Sequence, residues 1–227
     1  MKSEVRSPKS EGRPTGEVRR VLVCFAVKEE AGAFQRLAAG RSGIQAILVG
    51  MGKRNAKRAI QAALAKGHPA LVLTCGFAGA LRPGLAPGTI VFEADPETGL
   101  ESALLAAGAQ SARFHCADRV AVTSSEKKAL RDRTGADAVE MESEVIRAVC
   151  REHNIPSATV RVILDTAHED LPLDFNQLMT RDQKMDFGKL AIALAKSPAR
   201  VGPLLKLQRE SRAAAMKLAH VVARALP

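Results

Sequence analysis

The chain has 227 residues, 46% hydrophobic and 26% charged, with four cysteines and no Trp or Tyr. That length fits one large domain able to bury most of its unfolded surface, and no apolar run approaches the ~20 residues a membrane span requires. The net charge of +10 divides unevenly: residues 1–20 hold six basic and three acidic groups, residues 181–227 hold ten and three, and residues 21–180 carry 18 of each sign. A neutral centre between basic ends, with few aromatic platforms for bases, excludes a dedicated nucleic-acid-binding domain.

Residues 1–17 (Lys, Ser, Pro, Gly and Glu) cannot bury enough surface to order themselves and are expected to be a flexible basic tail; they contain no apolar core of the kind a secretory signal needs. Residues 18–227 are expected to form the folded domain. Arg20 to Val27 is a continuous β-type run, the pattern of a strand covered on both faces. Lys28-Glu29-Glu30 opens a short helix carrying Phe34 and Leu37. Ile44 to Val49 reads as a second strand, and Gly50-Met51-Gly52-Lys53 as a tight turn into a helix over 55–66, stopped by Gly67 and Pro69. Leu71 to Thr74 is a third strand, followed by what reads as a small-residue loop, Gly76-Phe77-Ala78-Gly79-Ala80.

A strand over Thr89 to Phe92 and a helix over Leu100 to Ala107 follow, then an apolar run around Phe114 to Val122. Ser124 or Ser125 caps a helix over 126–133. Asp137 to Val139 continues as β, and from Glu142 onward Val145, Ile146 and Val149 recur at helical spacing. Ala158 to Leu164 is another buried strand, ending in Asp165. Strands alternating with helices in this way predict an α/β domain with a mostly parallel, twisted central sheet flanked by helices. Helices over 186–196 and 204–224 close the chain. In the second, Leu204, Leu207, Ser211, Ala214, Leu218 and Val221 form one stripe, with basic residues elsewhere. Such a helix either packs on the sheet or touches a membrane surface or an apolar substrate tail. Cys24, Cys75 and Cys116 sit in apolar runs and Cys150 in a helical pattern, as expected of buried thiols in a reducing cytoplasm.

Strand ends thus deliver Glu30, the 76–79 segment, Glu140-Met141-Glu142 and Asp165, and in an open α/β sheet that rim is where ligands bind. Each carboxylate also has an ordinary explanation. Glu140 and Glu142 can load the first turn of a helix, where the macrodipole favours negative charge; Glu30 can do the same; Asp165 can cap a turn. The spacing of Gly50-x-Gly52-Lys53 fails as a phosphate-binding loop, and Gly76-x-x-Gly79 fails as a dinucleotide fingerprint. The helix starting near Lys53 still offers free N–H groups that can hold an anion.

The order of Ala26-x-x-Glu29-Glu30, Gly50-Met51-Gly52-Lys53, Gly76-x-Ala78-Gly79, Val139-Glu140-Met141-Glu142 and Arg161-Val162-Ile163-Leu164-Asp165 resembles the nucleoside phosphorylase and nucleosidase superfamily. It is most similar to the hydrolytic branch that includes methylthioadenosine/S-adenosylhomocysteine nucleosidases, with futalosine hydrolases and the enzymes that cleave adenine from adenosylhopane as further relatives. The resemblance implies a phosphorylase-like fold and cleavage of a purine nucleoside carrying a 5′ substituent, with no metal or cofactor. It implies Asp165 as the general acid on the purine, Glu30 as the carboxylate that positions water, and Glu142 on the ribose hydroxyls. Met141 would lie beneath the sugar, and Glu140, Gly76, Phe77, Ala78, Gly79 and Thr123 complete the expected substrate-binding set. Relatives are dimers or larger rings, which implies a homo-oligomer. Leu164, beside the acid, replaces the small polar residue usual in these nucleosidases. Phe77 interrupts the small segment, residues 93–118 are short, and no aromatic clamp follows Thr123. These departures imply a substrate different from that of the commonest relatives. Lys53, Arg54 and Arg82 are the candidate phosphate ligands of a phosphorylase, so water is the expected attacker and phosphate its rival. The alternative class is a nucleoside-binding or membrane-docking module that has lost catalysis.

Overall fold

The computed structural model describes residues 20–180, 182, 183 and 185–226. The proposed tail over 1–17 lies outside the described residues. Eight strands form one sheet. β1 (Val21–Phe25), β2 (Ile44–Leu48), β3 (Leu71–Ala80), β4 (Ile90–Ala94), β5 (Gln110–Ser111) and β8 (Ser157–Asp165) run in the order β2-β1-β3-β8-β4-β5, while β6 (Phe114–Cys116) pairs with β7 (Ala138–Glu140), and β7 with β3. Five pairings are parallel; β4 with β8 and β7 with β3 are antiparallel. The mostly parallel sheet expected from the sequence is therefore present.

Side-chain alternation along the strands divides the core between the two faces. Val21, Val23 and Phe25 of β1 join Val160 and Val162 of β8 on one face. That face is covered by Phe34 of α1 (Lys28–Leu37) and by Leu218 and Val222 of α7 (Val201–Ala225). Leu22, Cys24 and Val72 face the other way, against Ile60 of α2 (Lys53–Leu64) and Ile146 and Val149 of α5 (Ser143–Glu152). Burying a side chain such as Leu218 in full stabilises by ~1.5–3 kcal/mol. Its neighbours Ala214, Ala215 and Ala219 let the backbones of α7 and α1 approach closely. α3 (Glu101–Ala106) and α4 (Ser124–Thr134) lie along the chain between β4 and β7, and α6 (Phe187–Lys196) precedes α7. All four cysteines are buried free thiols.

Three sequence expectations change. The Gly76–Ala80 segment is not a loop: it prolongs β3, pairing with β8 through Gly76↔Arg161, Phe77↔Val162 and Ala78↔Ile163, and then with β7. Glycine and alanine have low strand propensity, but flanking strands on both sides supply the ladder that propensity does not. A shift in the pairing between Ala78 and Gly79 turns the end of β3 so that Gly79 meets Asp165. The apolar run over 114–122 forms only the short β6, and α4 is capped by Thr123 rather than by a serine.

Candidate active site

The ends of β1, β3, β7 and β8 open on one cavity of about 860 Å³, whose wall includes Glu30, Phe77, Ala78, Gly79, Glu140, Met141, Glu142, Leu164 and Asp165. Phe77 lies in the wall and leaves the hollow open. Gly76 and Thr123 are not in the wall. Thr123 serves as the N-cap of α4, its hydroxyl accepting from Glu126 N at 3.2 Å. Gly76 acts from behind: a Cβ there would stand 2.4 Å from Arg161 Nη1 and 2.5 Å from Glu30 Oε1, so a side chain at this position would displace both of those groups.

Glu30 is not the solvated helix-start residue that its position first suggests. It is buried, and its Oε2 accepts from the backbone N–H groups of Ala26 (2.9 Å) and Val27 (3.3 Å), while Oε1 accepts from Phe77 N at 2.9 Å. Burial raises its pKa against the pull of Arg161 and these donors. Oε1 has one protein donor and so retains acceptor capacity toward the cavity.

The two glutamates around Met141 divide the roles that the sequence left open. Glu140 does the helix-capping work. Its Oε2 accepts from Glu142 N (3.0 Å) and Ser143 N (2.8 Å), and its Oε1 accepts from Ser143 Oγ (2.6 Å). Glu142 instead reaches across to the start of α2, where Oε1 accepts from Gly52 N at 2.7 Å. The anion that the α2 N-terminus can hold is thus the protein's own carboxylate.

Arg161, missed by the site reading although it stands inside the quoted motif, holds this cluster together. It is fully buried, donates from Nη2 to Thr74 Oγ1 at 3.1 Å and to Glu140, and lies 3.6 Å from Glu142 Oε2. Burial alone would raise the Glu140 carboxyl, but the guanidinium, the Ser143 hydroxyl and two backbone donors hold it below the ordinary range. Glu142 has fewer such partners. Burial, opposed by Arg161 and reinforced by the neighbouring Glu140 charge, pushes it up to about 7. One guanidinium therefore stands among three carboxyl groups of the cavity wall, Glu30, Glu140 and Glu142.

The raised Glu142 pKa has a measurable consequence. The folded chain keeps a proton that the unfolded chain releases, so this residue makes stability fall as pH rises from about 4.5 to about 7. Glu142→Gln is expected to flatten the pH dependence of the urea midpoint in that window, leaving the contributions of Glu30 and Asp165, which have the same sign. An unchanged slope would show that Glu142 titrates normally.

Asp165 lies at the end of β8 against Lys127 of α4, a lysine with no exposed surface. The Lys127 ammonium pairs with the Asp165 carboxylate and donates to the carbonyls of Thr166 (2.8 Å) and Glu169 (2.6 Å). Burial raises the Asp165 pKa, and Lys127 works against that rise. Such a group can give up a proton to a bound base and be left as a carboxylate already paired with a cation. Sequence reasoning also missed Lys127.

The candidate phosphate ligands are otherwise engaged. Lys53 Nζ is 2.8 Å from Asp118 Oδ1, Arg54 is 2.9 Å from Asp182 Oδ1, and Arg82 is 3.8 Å from Asp137 Oδ1; none of the three lines the cavity.

A sequence profile of the family described as the phosphorylase superfamily matches residues 23–95 and 92–196. The chain belongs to the phosphorylase superfamily. Solved structures with the same fold include the futalosine hydrolase of Helicobacter pylori, 14% identical over 92% of this chain and 97% of that one, with a TM-score of 0.67. The methylthioadenosine/S-adenosylhomocysteine nucleosidase of Campylobacter jejuni is 15% identical over 91% and 98%, TM-score 0.67. That of Neisseria meningitidis, in complex with methylthio-immucillin-A, is 18% identical over 92% and 98%, TM-score 0.65. At such identity the likeness is one of fold. No curated protein matches the sequence. Glu30, Met51, Ala78, Gly79, Met141, Glu142 and Asp165, drawn from the five quoted motifs, line one cavity, while Gly76, Lys53 and Arg161 stand outside its wall.

Proposed function

We propose that this protein is a purine nucleosidase that hydrolyses the N-glycosidic bond of an adenosine-type nucleoside with a large apolar 5′ substituent. The observation that carries the reading is one cavity whose wall combines the carboxyl groups of Glu30, Glu140, Glu142 and Asp165 with the apolar side chains of Phe175, Met179, Met185, Leu190, Leu204 and Leu207. Its volume is near the upper end of the ~300–1,000 Å³ usual for ligand sites, more than a nucleoside with a small 5′ group needs.

In this reading Asp165 donates its proton to the purine N7 as the bond to C1′ stretches. Positive charge then develops on the ribosyl ring, facing a cavity wall in which three carboxyl groups stand around one guanidinium, and a preorganised field of that sign favours the transition state. Glu30, through the free acceptor capacity of Oε1, orients the attacking water. Glu142, with a pKa of about 7, can accept from or donate to the ribose hydroxyls. Met141 packs under the sugar. Gly79 leaves room beside Asp165: a Cβ there would be 3.1 Å from Asp165 Oδ2. Leu164, apolar where a hydrogen-bonding neighbour of the acid is usual, extends the greasy wall instead. Lys53, Arg54 and Arg82 stand outside the wall and are engaged by acidic partners, which removes these three as phosphate ligands; the cations that do line the cavity are Lys28, Arg36, Arg119 and Arg212. Both Leu164 and the Leu204–Leu207 wall suit a hydrocarbon-bearing nucleoside such as adenosylhopane better than one with a polar arm.

The test is release of free base, followed by chromatography, from a series of adenosines whose 5′ substituents run from methylthio to long alkyl. kcat/KM is expected to rise with chain length, because each buried methylene contributes ~0.8 kcal/mol. A flat series would remove the apolar-arm assignment. Binding across the series without base release at any pH would make the protein a nucleoside-binding module.

A further inference from the structure

α6 is a ten-residue helix, Phe-Gly-Lys-Leu-Ala-Ile-Ala-Leu-Ala-Lys, in which no residue is buried. A helix this short is marginal in water by itself and normally depends on burying an apolar face. Among the helices and strands its neighbour is the 3₁₀ turn Pro198–Arg200, which leads into the first turns of α7, and Lys189 Nζ donates to the Met179 carbonyl at 3.2 Å. Phe187 is 75% exposed, Ile192 57% and Leu205 55%. Large side chains this exposed in one short helical hairpin form a surface that water does not favour.

The charges within it have one sign. From Phe187 to Arg209 there are five basic residues, Lys189, Lys196, Arg200, Lys206 and Arg209, and no acidic one. The nearest acids in sequence are otherwise used: Asp186 caps α6 through Lys189 N (3.1 Å), and Glu210 lies 3.7 Å from Lys206. A second copy of the chain on this face, related by a two-fold axis, would set like charges against like. An anionic bilayer meets both requirements: phosphates for the basic residues and an acyl boundary for the apolar ones.

We propose that α6, the 198–200 turn and the start of α7 form a docking surface for an anionic lipid bilayer, with Ile192 and Leu205 entering the headgroup–acyl boundary. Phe187 and Leu190 also line the cavity described above, so the surface that meets the lipid is the rim of the site. Resting in this one respect on the proposed function, an apolar nucleoside then passes from the membrane into the cavity without crossing bulk water.

The experiment is co-sedimentation of the full chain with vesicles of phosphatidylglycerol and phosphatidylcholine, and of phosphatidylcholine alone, at low and high salt. Binding is expected to the anionic vesicles and to weaken by at least about tenfold without the anionic lipid or at high salt. Ile192→Ser with Leu205→Ser, two exposed side chains outside the cavity wall, is expected to weaken it by a similar factor without altering the thermal midpoint. A separate variant with Lys189, Lys196 and Arg200 replaced by glutamine is expected to lose the salt dependence. No pelleting with anionic vesicles, equal binding to both vesicle types, or a dimer in solution that the Ile192/Leu205 variant dissolves would each overturn the proposal. Because vesicle binding needs no substrate, its failure is distinct from a failure to release base.

Discussion

Replacing Asp165 with asparagine is expected to lower kcat/KM for base release by about 10²–10⁴-fold, the usual contribution of a positioned general acid. Asparagine keeps the shape of the side chain but has no carboxyl proton to give. The substitution also strips Lys127 of its counter-charge, and an unpaired buried ammonium is costly. The variant is therefore expected to unfold at lower urea, and activity must be compared where both proteins are folded. Adding Lys127→Met in the same chain removes the orphaned charge. It is expected to recover part of the stability and none of the activity, which separates the chemical loss from the structural one. In the otherwise unaltered protein Lys127→Met is expected to raise the Asp165 pKa further, since the opposing cation is gone. The alkaline limb of the kcat/KM profile then moves to higher pH. An Asp165→Asn protein with near-normal base release would overturn the acid assignment.

The largest effect on stability is expected from Arg161→Met. Removing one partner of a buried ion pair costs ~3–5 kcal/mol, because the remaining charge keeps its desolvation penalty and loses its compensation. Here Glu140 and Glu142 both depend on this guanidinium, and its field reaches Glu30. The loss has a sign in pH. With Arg161 gone the carboxyl groups favour the neutral form in the folded protein, so the destabilisation grows as pH rises above the ordinary carboxylate range and shrinks below it. Urea midpoints at mildly acidic and mildly alkaline pH measure this directly. Equal midpoints for Arg161→Met and the unaltered protein at alkaline pH would contradict the role of Arg161 as the shared counter-charge.

These two residues also mark the limit of what the chain discloses before folding. Glu30, Glu142 and Asp165 were legible because each follows a buried β-type run. The parallel pairing of β1, β3 and β8 carries two of those ends to one rim, while Glu142 reaches it from β7, which runs antiparallel to β3. The 76–80 segment was misread because glycine and alanine signal a loop by composition, whereas pairing on both sides makes them strand. Arg161 had a signal: it is the lone cation within the otherwise apolar or small-polar run of β8, and a charge in a strand covered on both faces needs a buried partner. Lys127 had almost none. It adjoins Lys128 in a polar helix; Lys128 pairs with Asp132 at the surface, while Lys127 turns inward to Asp165. Only the position of the end of β8, a tertiary fact, distinguishes them. The C-terminal stripe divides: Ala214, Leu218 and Val221 are buried in the core, while Leu204, Leu207 and Ser211 line the cavity.

The central claim is that a carboxyl-lined pocket delivers water to the sugar carbon of a nucleoside. It is tested by incubating the protein with a 5′-alkyl adenosine in phosphate-free buffer made with oxygen-18 water, then analysing the released sugar by mass spectrometry. Free base together with one heavy oxygen on the sugar is the predicted result. Base release that requires added phosphate and yields the sugar 1-phosphate would contradict it.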